Sequence, residues 1–144
     1  MEDGFFNVIS GAIGAIAGLA GGFTTSWYQS RLATKKETKE KRFQVCNKVL
    51  ESDGIALVRK NVGIKIIMDL QEYCDKVRPH LYAGYHLLSH EMREHMTNID
   101  NQIETMNLAE DTFEDMLEYC AIEYMKLIEL IRKTYQNEVN SGKQ

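Results

Sequence analysis

The sequence predicts an all-α, oligomeric membrane protein: a single N-terminal transmembrane helix followed by a cytosolic antiparallel helical bundle. Three observations carry that reading. Residues 4–30 hold no charged side chain, and at 1.5 Å per residue a helix of that length crosses a bilayer. Beyond them, apolar residues recur at helical spacing, with one proline in 144 residues and no alternating run long enough to read as a strand. Charge is also divided, since residues 31–48 carry seven Lys or Arg against two acids and residues 49–144 carry ten against seventeen. The expected parts are therefore a transmembrane helix over 1–30, a basic juxtamembrane helix over 31–52 and a bundle domain over 53–144.

The first segment holds Gly4, Gly11, Gly14, Gly18, Gly21 and Gly22 of the ten glycines. On a helical wheel these fall within an arc of about 120°, together with Asn7, Ser10 and Thr25. Phe5, Val8, Ile9, Ile13, Ile16, Leu19, Phe23 and Trp27 take the opposite arc. A helix-interior glycine costs about 1 kcal/mol relative to alanine in water, so a sorted stripe of them calls for close helix approach. Gly14, Gly18 and Gly22 form a doubled G-x-x-x-G pattern that resembles the glycine zipper of membrane oligomers and channels. That resemblance implies a homo-oligomer packed through Gly11, Gly14, Gly18 and Gly22, with Asn7 and Thr25 on the same packing or pore face. The alternative is a plain anchor, because glycine is common in transmembrane helices. A secretory signal fits poorly, since Glu2 and Asp3 stand where basic residues belong.

Orientation follows from the flanks. Arg31, Lys35, Lys36, Lys39, Lys41, Arg42 and Lys48 follow the span, opposed by Glu37 and Glu40, so the positive-inside rule places the C-terminal part in the cytoplasm. The expected location is a bacterial inner membrane crossed once, N-terminus outside. Trp27 and Tyr28 stand where an interfacial aromatic belt would put them. The basic stretch reads as a helix drawn to anionic membrane lipids. Duplex nucleic acid is not an expected partner, as an acidic domain follows and no aromatic residues interleave the basic ones. Cys46, Cys74 and Cys120 are widely spaced and odd in number, so they read as reduced, buried small hydrophobes, not a disulfide framework.

In the bundle domain, Asp53-Gly54 predicts a first break. Ile55, Val58, Val62, Ile66, Leu70, Tyr73 and Val77 then predict a helix over 55–77, ended by Arg78-Pro79. Leu81, Tyr85, Leu88, Met92, Met96, Ile99, Ile103 and Met106 predict a second over 80–106 with a coiled-coil-like period. Polar residues 107–111 turn the chain. Asp111 or Thr112 would cap the last helix, with Glu114 and Asp115 in its first turn. Its stripe is Phe113, Leu117, Cys120, Tyr124, Leu127, Ile128, Ile131 and Tyr135, and the helix runs to about residue 137.

Little in the sequence points to chemistry. His80, His86, His90 and His95 crowd the 80–106 segment, and His86, His90 and Glu94 would share one ridge of a helix. With no third ligand motif, a solvated polar face is the better reading, and no metal or other cofactor is expected. No glycine loop follows a strand, and neither G-x-S-x-G nor H-E-x-x-H occurs, so an enzyme is not expected. Arg59, Lys60 and Lys65 would stand on the polar side of the 55–77 helix. They are the candidates for an anionic ligand such as a nucleotide messenger, with a solvated charged face as the alternative.

A short membrane segment joined to a helical sensor resembles, in architecture, the small membrane-anchored effectors of bacterial anti-phage systems, including those linked to CRISPR. That resemblance implies an antiviral role. Two functions follow as expectations. One is an oligomeric effector that forms or gates a pore and depolarises the membrane, under control of the helical domain and an anionic nucleotide ligand. The other is a single-pass membrane-anchored adaptor that recruits a cytosolic protein partner.

Overall fold

The computed structural model describes the backbone of residues 3–108 and 113–141 and the side chains of 27–107 and 113–140. The chain divides into two units, Met1–Thr38 and Lys39–Gln144. Helix α1 is assigned over Asp3–Ile55. Among the described residues no helix is long and apolar enough to cross a membrane. The expected span lies, through residue 26, outside the residues whose side chains are described, and with it Asn7, Gly11, Gly14, Gly18, Gly22 and Thr25.

In the first unit, the side chains from Trp27 to Glu37 are all exposed. They pair along the helix itself. The Arg31 guanidinium lies 4.2 Å from the centre of the Trp27 ring. Thr34 and Thr38 each donate a hydroxyl proton to the carbonyl four residues back, both at 2.9 Å. Such bonds satisfy a polar side chain locally and need no neighbour.

Among its described residues the second unit is mostly helical, with one two-stranded sheet. Cys46 and Val49 on the last turns of α1 are buried, and Phe43 stacks on Tyr135 at 4.8 Å. The break expected at Asp53-Gly54 falls where α1 ends, at Ile55, but, contrary to the sequence expectation, residues 55–77 do not form a helix. Strands β1 (Arg59–Val62) and β2 (Lys65–Met68) make an antiparallel hairpin. The cause is local. Val58, Val62, Ile64, Ile66 and Ile67 are β-branched and stiff at χ1, which favours extended backbone. Gly63 supplies φ +61° at the first position of a two-residue turn, where a tight hairpin needs positive φ. The 3.6-residue recurrence of Val58, Val62 and Ile66 was coincidental, since Val58 is buried while Val62 and Ile66 are exposed.

After β2, Asp69 caps helix α2 (Leu70–Glu72), its carboxylate accepting from the amides of Gln71 and Glu72. A π-helical turn, Tyr73–Val77, leads into α3 (Arg78–Ala83). Pro79 was expected to end a helix. It lies instead in the first turn of α3, directly after the π-helical turn. The single helix expected over 80–106 is also interrupted. A 3₁₀ turn (Tyr85–Leu87) precedes α4 (His90–Leu108). Gly84 makes the corner, and a Cβ there would run into both methyl groups of Val45. Ser89 accepts from the Met92 amide at 3.2 Å and so starts α4. Arg42 of α1 donates to the Leu87 carbonyl at 2.9 Å, holding the corner down.

Helix α4 buries Met92, Met96, Ile99 and Met106, and α5 (Glu114–Ser141) buries Cys120, Tyr124, Leu127, Ile128 and Ile131. These are the stripes the sequence predicts, and the two helices pack along each other while β2 packs on α5. The expected caps Asp111 and Thr112 lie outside the described residues. At the centre, Tyr73 and Tyr124 meet edge to face at 5.8 Å. The Tyr124 hydroxyl donates to Asp53 at 2.7 Å, tying the end of α1 to α5.

Candidate functional site: the hairpin and its cations

Arg59, Lys60 and Lys65, expected on a helix face, stand on the hairpin. Alternation along β1 sends Arg59 and Lys60 to opposite faces, and the Val62–Lys65 pairing puts Lys65 on the face of Lys60. Each cation has a carboxylate beside it. Arg59 lies 3.8 Å from Asp53, Lys60 pairs with Asp69, and Lys65 bonds Asp115 at 2.9 Å and Glu118 at 3.3 Å. The hydrogen bond from Lys60 holds the Asp69 carboxyl below its ordinary range, helped by the Glu72 amide. Lys65 does the same to Asp115, which in turn raises the Lys65 ammonium. Beside these carboxylates the side chains of Arg59 and Lys60 stay about half exposed.

Hydrophobic exposure sets the hairpin apart. Ile64 at the turn is 103% exposed, Val62 47% and Ile66 39%, and Leu57 just before β1 is 72% exposed. Aliphatic side chains gathered at one projecting turn are uncommon on a surface with no partner to cover them. The sequence reading missed this feature because it placed Val62 and Ile66 on a buried helix face. The pair Gly63-Ile64 between two β-branched runs was the available signal.

Three other clusters lie outside the hairpin. Glu123, 4% exposed, accepts from Asn98 at 3.0 Å and Lys126 at 2.8 Å, and lies 2.8 Å from His95 Nδ1. Burial works to raise its carboxyl, but these partners outweigh burial and hold it at about 2. That cluster is a clamp between α4 and α5. Arg78 bonds Asp100 at 3.0 Å and lies over Tyr82, which stacks on Tyr85 at 5.8 Å, with Arg93 over Tyr85. Each ring of the stack thus already has a guanidinium over it. A groove of about 260 Å³ is lined by Ser52, Ile55, Asp75, Lys76 and His80. No hydrogen bond joins Ser52, Asp75 and His80, so the groove holds no paired nucleophile and base.

The interruption at Gly84–Ser89 removes the expected ridge of His86, His90 and Glu94. Among the described residues no group of three His, Cys, Asp or Glu is placed to hold a metal ion. Cys46 and Cys120 are free, and burial pushes both thiols up to about 11. Cys74 is raised as well, again by burial. Thiols held protonated in this way are poor nucleophiles.

Compared with protein-family models, with curated proteins and with solved structures, the chain matches none.

Proposed function

We propose that the chain is a membrane-anchored adaptor whose hairpin-bearing unit recruits a cytosolic protein partner. The observation that carries this reading is the projecting aliphatic turn of Val62, Ile64 and Ile66 on a unit that is otherwise acidic. The charge-free stretch 4–30 supplies the anchor and the basic stretch after it the orientation. A photo-crosslinking residue at position 64 tests the reading in intact cells, with one at position 36 on the exposed helix as the comparison. Recruitment requires discrete protein adducts from 64 that are absent from 36. Identical adduct patterns from the two positions, or lipid adducts alone from 64, would overturn it.

A second reading rests on the sorted glycines. In a pore-forming effector, Gly11, Gly14, Gly18 and Gly22 would pack copies together, and Asn7 and Thr25 would contribute polar groups to a conducting path. Anti-phage effectors of similar architecture make defence the natural setting for such a pore.

A further inference from the structure

The hairpin has one edge in use and one free. In an antiparallel ladder, residues alternate between positions that exchange backbone bonds with the partner and positions that point their N–H and C=O away. The Asp69 amide donates to the Val58 carbonyl at 2.7 Å, which fixes the phase. With Arg59 opposite Met68 and Val62 opposite Lys65, the bonded positions are Lys60–Ile67 and Val62–Lys65. Arg59 and Asn61 therefore direct two N–H and two C=O groups outward. All four β1 residues are exposed, and no backbone bond to another element reaches either residue among those described.

We propose that this edge takes up an extended peptide segment as a third, antiparallel strand, one in which aliphatic residues are followed by two adjacent carboxylates. The proposal rests on the recruiting reading and specifies the partner's chemistry. Two bonded positions supply the main-chain recognition, in the manner of strand addition. Side chains supply the order. Antiparallel to β1, an incoming strand meets Ile64 and Val62 first, then Asn61, then Lys60 and Arg59. The apolar end of the edge thus asks for aliphatics and the basic end for acids. Lys60 and Arg59 stand on opposite faces, so adjacent carboxylates reach one cation each. Both remain about half exposed beside their present partners, and an ammonium or guanidinium has donors to spare after one bond.

A second copy of this chain fits the edge badly. Pairing Arg59 with Asn61 of the copy sets Lys60 against its own counterpart, and pairing Arg59 with Arg59 stacks two guanidiniums. Only a pairing centred on Asn61 avoids like charges, and it uses a single bonded position before running into the Gly63 turn. Basic residues on an edge strand are a usual defence against such self-pairing.

The test measures backbone amide exchange in the full-length chain in nanodiscs, with and without a capped synthetic peptide Ile-Val-Thr-Glu-Glu. The control peptide is Ile-Val-Thr-Lys-Lys. At saturating acidic peptide, exchange at Arg59 and Asn61 should slow on the order of tenfold, as one or two net hydrogen bonds imply, and the control should leave both unchanged. The double variant Arg59→Glu, Lys60→Glu should reverse the preference. Protection of Lys60 and Val62, which bond inward, reports that the hairpin is still folded in each sample. Three outcomes overturn the proposal: no slowing with the acidic peptide, equal slowing with both peptides, or protection of Arg59 and Asn61 without peptide that grows with protein concentration. None of these alters the crosslinking result at position 64, so the edge can fail while the recruiting reading stands.

Discussion

Gly84 and Gly54 show how differently one residue type is used within a single unit. At Gly84 a Cβ meets the two methyl groups of Val45, and a β-branched side chain on a helix has little room to move aside. Gly84→Ala should therefore lower stability by about 1–3 kcal/mol. Gly54 sits in the last turn of α1 with nothing near its Cβ position, so Gly54→Ala should raise stability by about 0.5–1 kcal/mol. Chemical denaturation of the two variants checks both signs. Glu123 gives a pH dependence. Its carboxyl is held at about 2 in the folded chain against an ordinary 4.5, so the stability it contributes is complete above the ordinary value and lost as pH falls toward 2. Unfolding free energy should drop on the order of 2 kcal/mol through that window, and Glu123→Gln should flatten the slope. The Glu123 cluster was not legible beforehand, because His95 and Asn98 reach the acid only when α4 and α5 pack.

Among the elements, α5 was the most legible. Its stripe from Cys120 to Ile131 is buried as its spacing predicts, because one long helix with one apolar face leaves no competing solution. The segment 55–77 was the least legible. Seven apolar residues matched a helical period, but the dense β-branched residues and Gly63 favoured a hairpin, and local preference won. The two readings give opposite signs for one substitution. In a helix, Gly63→Ala would stabilise; in the hairpin, alanine at φ +61° should cost about 1–2 kcal/mol. Thermal unfolding together with amide exchange at Lys60 and Val62 decides between them. The corner at Gly84–Ser89 escaped notice for a related reason. Leu81 and Leu88 stay buried across it, so the apolar pattern continues while the helix does not.

For the whole molecule, the sequence was right that the chain is mostly helical and missed the one element that now draws attention. The cations Arg59, Lys60 and Lys65 could be picked out as a group, but their carboxylate partners come from α1, the end of β2 and α5, and no spacing rule links those positions. On the adaptor reading, recruitment by the hairpin is separate from the anchor, so the span should be replaceable. The most direct measurement exchanges residues 4–30 for an unrelated monomeric transmembrane helix and follows membrane potential together with adducts from position 64. The adaptor account predicts the same adducts from native and exchanged chains and no change in potential with either. Depolarisation that requires the native glycine face, with adducts lost on exchange, would contradict it.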